Sequence, residues 1–270
     1  MAAGSTEPLG STMPSRNLVL PDVSIAAAPA GTYRPSAEKR PPGICALGST
    51  MPSHEFVLPG TDQASRHECW RSFDVDPLIA EAVVWPETER YDRLRDFVEA
   101  TANYGAYITT GGGPDYSIGR YQMKPSFVEE LEKAWMRSGL ARQYGLWFDT
   151  ADNATARRIR ITRLKKEEWQ AVYLGVFLRM LYHSYGSFDR DGQRVQEGLD
   201  ALPPEEQVRL AAAAYNRGCV WTAPGYGDLG ALRKASREKH FHYALVPTRH
   251  TRRYCYARLA LKHYRRLAQK

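Results

Sequence analysis

The chain has 270 residues, 43% of them hydrophobic and 25% charged. That balance excludes wholesale disorder and leaves room for one substantial core or two small ones. No window approaches the run of about 18 apolar residues that a membrane-crossing helix needs, which points to a soluble protein. Lys and Arg number 37 against 30 Asp and Glu, a net charge of +7, so the expectation is an anionic partner or simply a basic surface. Seven basic residues and no acidic one fall between Thr251 and Lys270, which places the field at the C-terminal end.

In chain order, residues 1–66 are rich in Pro, Ser, Gly and Ala and lack a periodic apolar pattern, so they read as an extended or partly disordered segment. Met1 to Pro8 hold neither a basic stretch nor an apolar one, so no secretory leader is expected in them. Leu9-Gly-Ser-Thr-Met-Pro-Ser15 recurs as Leu47-Gly-Ser-Thr-Met-Pro-Ser53, and Val19-Leu20-Pro21 recurs at the same offset as Val57-Leu58-Pro59. Two short copies are too few for a solenoid. They suggest a duplicated linker, with a docking strand for a protein partner as the alternative.

From Asp76 the pattern becomes helical. Asp76-Pro77 is an N-cap followed by Pro at the first helical position, leading into Leu78–Trp85, and Pro86 then places Glu87 at a bend or helix end. Gly111-Gly112-Gly113-Pro114 marks a turn. Ser126-Phe-Val-Glu129 has capping-box spacing and opens a second helix with Val128, Leu131, Trp135 and Leu140 on one side. A third runs from about Lys165 to Tyr185 with a wide apolar stripe. Pro203-Pro204-Glu205-Glu206 opens a fourth, which Gly218 ends. A fifth is expected over about Thr251–Ala268. Alternation of period two is absent, so residues 67–270 form one mainly α domain.

Four motifs in a fixed order carry more than this pattern does. They are Ala80–Glu87, Ser117-Ile-Gly-Arg-Tyr-Gln-Met-Lys-Pro125, Ala213-Ala-Tyr-Asn-Arg-Gly218 and Thr251-Arg-Arg-Tyr254. They resemble, in turn, the helix ending in the catalytic glutamate, the Gly-x-x-Gln-hydrophobic-x-Pro segment, the Ala-Ala-Tyr-Asn-Ala-Gly segment and the Glu-Thr-Arg-x-Tyr-Val segment of lytic transglycosylases in the lysozyme-like superfamily. The resemblance covers roughly residues 78–265. It implies a lysozyme-like helical domain acting on peptidoglycan glycan strands, without metal or organic cofactor, in the periplasm, at the cell envelope or outside the cell. Nucleic acid is not expected as a partner.

The resemblance makes Glu87 the catalytic acid. Cleaving a glycosidic bond needs a proton donor, and a carboxylic acid supplies it near neutral pH only where an apolar setting raises its pKa. Trp85 is expected to contribute that setting. In this family the same carboxyl group acts as acid and then as base on the muramyl 6-hydroxyl, closing a 1,6-anhydro ring, so the second carboxylate of other glycosidases is dispensable. Gln122 and Met123 would line the cleft, Ser117 would reach the carboxyl, and Tyr215 would place its hydroxyl beside it. Asn216 would hold the helix end or bind sugar, and Tyr254 would pack behind. Glu99 and Glu81 compete with Glu87 for the acid role. A hydrolytic lysozyme would instead recruit Asp92, Glu99 or Asp115 as a second carboxylate. A basic nucleic-acid-binding module or a non-catalytic wall-binding protein would have no use for Glu87.

Cysteines 45, 69, 219 and 255 form no Cys-x-x-Cys pair, so no zinc ribbon or thioredoxin-type site is suggested. Adjacent helices carrying Tyr215 and Tyr254 would bring Cys219 toward Cys255. His240, His242 and His250 have ligand-like spacing but no accompanying Glu or Cys, and are read as a surface loop rather than a metal site.

Overall fold

The computed structural model describes residues 56–89, 105, 107–112, 115, 117–185, 187–188, 194–196, 198–218, 229–244 and 248–270. The chain divides into Met1–Thr50 and Met51–Lys270, and every described residue belongs to the second unit. Glu99, Asp92, Cys45, Cys219 and both copies of the seven-residue repeat lie outside the described residues.

The body is mainly helical. Helix α1 spans Gln63–Ser72, begins inside the stretch whose composition reads as tail, and is capped by the Asp62 carboxylate, which accepts from Ser65 N. Helix α2 spans Pro77–Thr88, with the Asp76 side chain accepting from Leu78 N. It continues through Pro86, so Glu87 falls in its last turn. Helix α3 spans Pro125–Arg137. Ser126 is not its cap: its amide and hydroxyl both donate to Asp115, at 3.1 and 2.6 Å, so the start of α3 is held from outside. Gly139, at φ 80°, separates α3 from α4, Leu140–Tyr144, which places Leu140 in a different helix from the one expected.

Helix α5 spans Ala154–Leu164 and α6 spans Glu167–Ser184. A two-residue and a three-residue strand, Ser187–Phe188 and Arg194–Gln196, pair antiparallel. Helix α7 spans Pro204–Arg217 and stops at Gly218, whose φ of 73° suits glycine. Helix α8 spans Leu229–Ala235 and α9 spans Tyr256–Leu267. The last helix starts five residues later than its composition suggests, because Tyr254 pairs its backbone with Phe241 in an antiparallel bridge.

Helix α6 runs through the core with thirteen buried residues. Its Gly175 admits Phe73 from beyond α1: a Cβ there would stand 2.5 Å from the Phe73 ring. Helix α1 packs on α6, while α2, α7 and α9 pack on one another. Between α3, α5 and α6 lies a buried ion network. Arg160 Nε donates to Glu132 at 2.8 Å, both residues being about 1% exposed, and Tyr173 donates to the other Glu132 oxygen at 2.5 Å.

Candidate active site

The side chains of α2 divide between two faces. Helical geometry sets successive residues about 100° apart, so Glu81, Trp85 and Thr88 share one face while Val83 and Glu87 share the other. The Glu87 face meets α7 and α9. Tyr256, from the start of α9, donates its hydroxyl to the Val83 carbonyl at 3.0 Å. Tyr215, from the last turn of α7, donates to the Tyr121 carbonyl at 2.6 Å. Burial first, and then the negative charge of Glu87, hold both phenols well above their ordinary pKa. Both therefore stay protonated, fixed as hydrogen-bond donors and unfit as bases.

Behind Tyr215 lies an aromatic wall. Its ring meets Phe127 and Phe177 edge-on at 6.2 and 5.4 Å and lies 6.4 Å from Tyr256. Glu87 itself is half-buried. The environment expected from Trp85 comes from Tyr215 and Tyr256 instead. Trp85 points away, about 200° around the helix, and stacks on His263 at 3.8 Å with an interplanar angle of 1°.

Residues 117–124 form a tight loop facing this site. Ile118 and Met123 exchange backbone hydrogen bonds of 2.8 and 3.2 Å across a turn in which Gly119 has φ 75° and Gln122 φ 53°. Gly119 is required there: a Cβ would stand 1.4 Å from Gln170 Nε2 and 2.8 Å from the Leu164 carbonyl. Gln170, buried on α6, fixes the loop by accepting from Tyr121 N at 2.8 Å and donating to the Leu164 and Ile118 carbonyls at 2.6 and 3.3 Å.

The residues singled out in the sequence are placed as follows. Glu87 and Tyr215 come together. Gln122 is half-buried, and its amide donates to the Gly119 carbonyl at 3.0 Å, bracing its own turn. Met123 is 1% exposed and belongs to the core rather than to a cleft surface. Ser117 is half-buried at the loop entrance, and Asn216 is half-buried in the last turn of α7. Tyr254 lies outside α9 and packs its ring on Tyr243 at 5.4 Å. Its neighbour Tyr256, which no motif singled out, packs behind Tyr215 in the place expected of Tyr254. Tyr243 donates to Glu89 at 3.0 Å, just past the end of α2.

Sequence reasoning missed Tyr256, Tyr121 and Gln170. Tyr256 follows Tyr254 at a spacing of two, and only knowing where α9 begins decides which of them faces inward. Cys255 sets its sulfur 3.1 Å from the Ser236 carbonyl as a free thiol. Burial pushes the Cys69 thiol up to about 12, which keeps it unreactive. No group of three or more His, Cys, Asp or Glu among the described residues has an arrangement that would hold a metal ion, and no helix among them is long and apolar enough to cross a membrane. Comparisons with protein-family models, with curated proteins and with solved structures return no match for this chain.

Proposed function

We propose that the protein is a peptidoglycan lytic transglycosylase of lysozyme-like type, with Glu87 as general acid and then general base. The observation that carries this reading is the convergence of three of the four motif segments with Tyr256, which lies two residues beyond the fourth. The end of α2, the loop 117–124, the end of α7 and the start of α9 are joined by the Tyr215–Tyr121 and Tyr256–Val83 hydrogen bonds around one half-buried carboxylate. A protonated Glu87 gives its proton to the leaving 4-oxygen as the glycosidic bond breaks. The resulting carboxylate then takes the proton of the muramyl 6-hydroxyl as that oxygen closes on the anomeric carbon. Tyr215 and Tyr256, whose hydroxyls are committed to the Tyr121 and Val83 carbonyls, hold the end of α7 and the start of α9 in place beside that carboxyl group.

Clearing of purified peptidoglycan tests the choice of acid. Glu87→Gln removes activity by at least about 100-fold, the order expected for a general acid, while Glu81→Gln, on the opposite face of α2, retains it. Equal loss in both variants would overturn the assignment of Glu87.

A further inference from the structure

The turn of α2 that carries Glu87 lacks a rung of its backbone ladder. Pro86 has no N–H to give the Ala82 carbonyl, and its ring crowds that carbonyl. Beyond it the helix closes on the Trp85 carbonyl, which accepts from Glu89 N at 2.9 Å and from the Thr88 hydroxyl at 3.1 Å. A last turn with a missing rung takes its position largely from what grips it from outside.

Three side-chain contacts do so. Tyr256 donates to the Val83 carbonyl, one turn before Glu87, and Trp85 stacks on His263; both partners come from α9. The third contact lies on the far side of Glu87, where the Tyr243 hydroxyl donates to Glu89 Oε2 at 3.0 Å. We propose that Tyr243 is a positioning residue, which acts through Glu89 to fix the turn that presents Glu87. The proposal rests on Glu87 being the acid.

Tyr243 is itself held firmly. Phe241 and Tyr254 exchange backbone hydrogen bonds of 3.2 and 2.8 Å, which lays the segment carrying Tyr243 against the approach to α9. The Tyr243 ring meets Phe241 at 4.8 Å and 80°, and Tyr254 at 5.4 Å and 61°. Phe241 in turn meets Tyr256 at 5.0 Å and 90°. One ring thus joins the phenol that grips Val83 to the phenol that grips Glu89, and Glu87 lies between those two points in the chain. Edge-on packing on two neighbours orders the Tyr243 ring in advance, so its hydroxyl reaches Glu89 at little further entropic cost. Glu89 is exposed, so the bond adds little to global stability, and its effect falls on the placement of the turn.

A double-mutant cycle on soluble glycan strands, with Glu87→Gln alongside, tests the role. Tyr243→Phe keeps the ring and removes the donor; kcat should fall about tenfold with KM within about twofold, because a displaced acid slows the chemistry without touching sugar contacts. Glu89→Leu should lose as much, and the double variant no more than either. Glu89→Gln, which removes the charge but keeps an acceptor, should stay within about twofold of the wild type. Amide exchange at Thr88 and Glu89 should quicken at least about threefold in Tyr243→Phe, with exchange in α6 unchanged. Wild-type kcat in Tyr243→Phe while Glu87→Gln is inactive, additive losses in the double variant, or a loss confined to KM would each overturn the positioning role alone. Cleavage retained by Glu87→Gln would overturn the acid assignment and this role with it.

Discussion

Glu81 and Glu87 are one and a half turns apart on the same helix, and their surroundings separate them. Glu81 is tied to Gln63 and His67, while Glu87 lies near two phenols that burial first, and then its own charge, keep protonated. Tyr215→Phe removes one of those donors and the bond that ties α7 to the 117–124 loop. It should lower glycan cleavage about 10- to 100-fold, read as initial clearing rate, with the fold kept in circular dichroism. Gly119→Ala acts on the backbone: at φ 75° a Cβ costs about 1–2 kcal/mol even before it meets Gln170 and the Leu164 carbonyl. Urea unfolding should show at least that loss. His263 supplies a pH signature. Burial first, and then Arg266 and Lys270 opposing Glu81, hold its pKa below 6.5. A depressed value contributes stability above the unfolded pKa, and that contribution is lost as pH falls through the folded one. Neither ring nitrogen has a hydrogen-bond partner among the described residues, and Glu81 stands 3.9 Å from Nε2. His263→Phe, which keeps the stack on Trp85, should therefore match the wild type at pH 8 and exceed it in urea unfolding at pH 5.

At the scale of the element, α2, α3 and α7 were legible from a proline at the start, and α6 from its continuous apolar stripe. Helix α1 was not, because it buries only Cys69 and Trp70. Helix α5 was hidden because it buries arginines: Arg157 and Arg160 occupy positions that a periodicity reading assigns to solvent. Their role lies in tertiary pairing, which no local window shows. Arg160→Leu leaves the buried Glu132 with only the longer 3.6 Å pair to Arg163, and should cost about 3 kcal/mol in equilibrium unfolding. The start of α9 was misplaced because Thr251–Cys255 is compatible with a helix, and only the bridge to Phe241 makes it extended. Gln170 was equally invisible, being one amide in an apolar helix, with two of its three hydrogen bonds going to the distant 117–124 loop and the third to the end of α5.

For the whole molecule, charge is the feature the sequence stated most directly. The exposed face of α9 carries Arg258, Lys262 and Arg266 at four-residue spacing, with no carboxylate paired to any of the three among the described residues. Arg265 on the same helix is engaged instead, with Glu205 at 2.9 and 2.6 Å. Replacing the three by Gln should reduce retention on insoluble peptidoglycan several-fold at low ionic strength. The effect should vanish near 1 M salt, where screening acts within about 3 Å. Order along the chain made the motifs recognisable, whereas Tyr256, which lies outside all four, was not. The central claim is the chemistry at Glu87, and the mass of the products tests it most directly. Peptidoglycan digested by the wild type should yield muropeptides lighter by one water than hydrolytic products, and Glu87→Gln should yield none. Ordinary reducing ends, or unchanged anhydro products from the variant, would contradict the account.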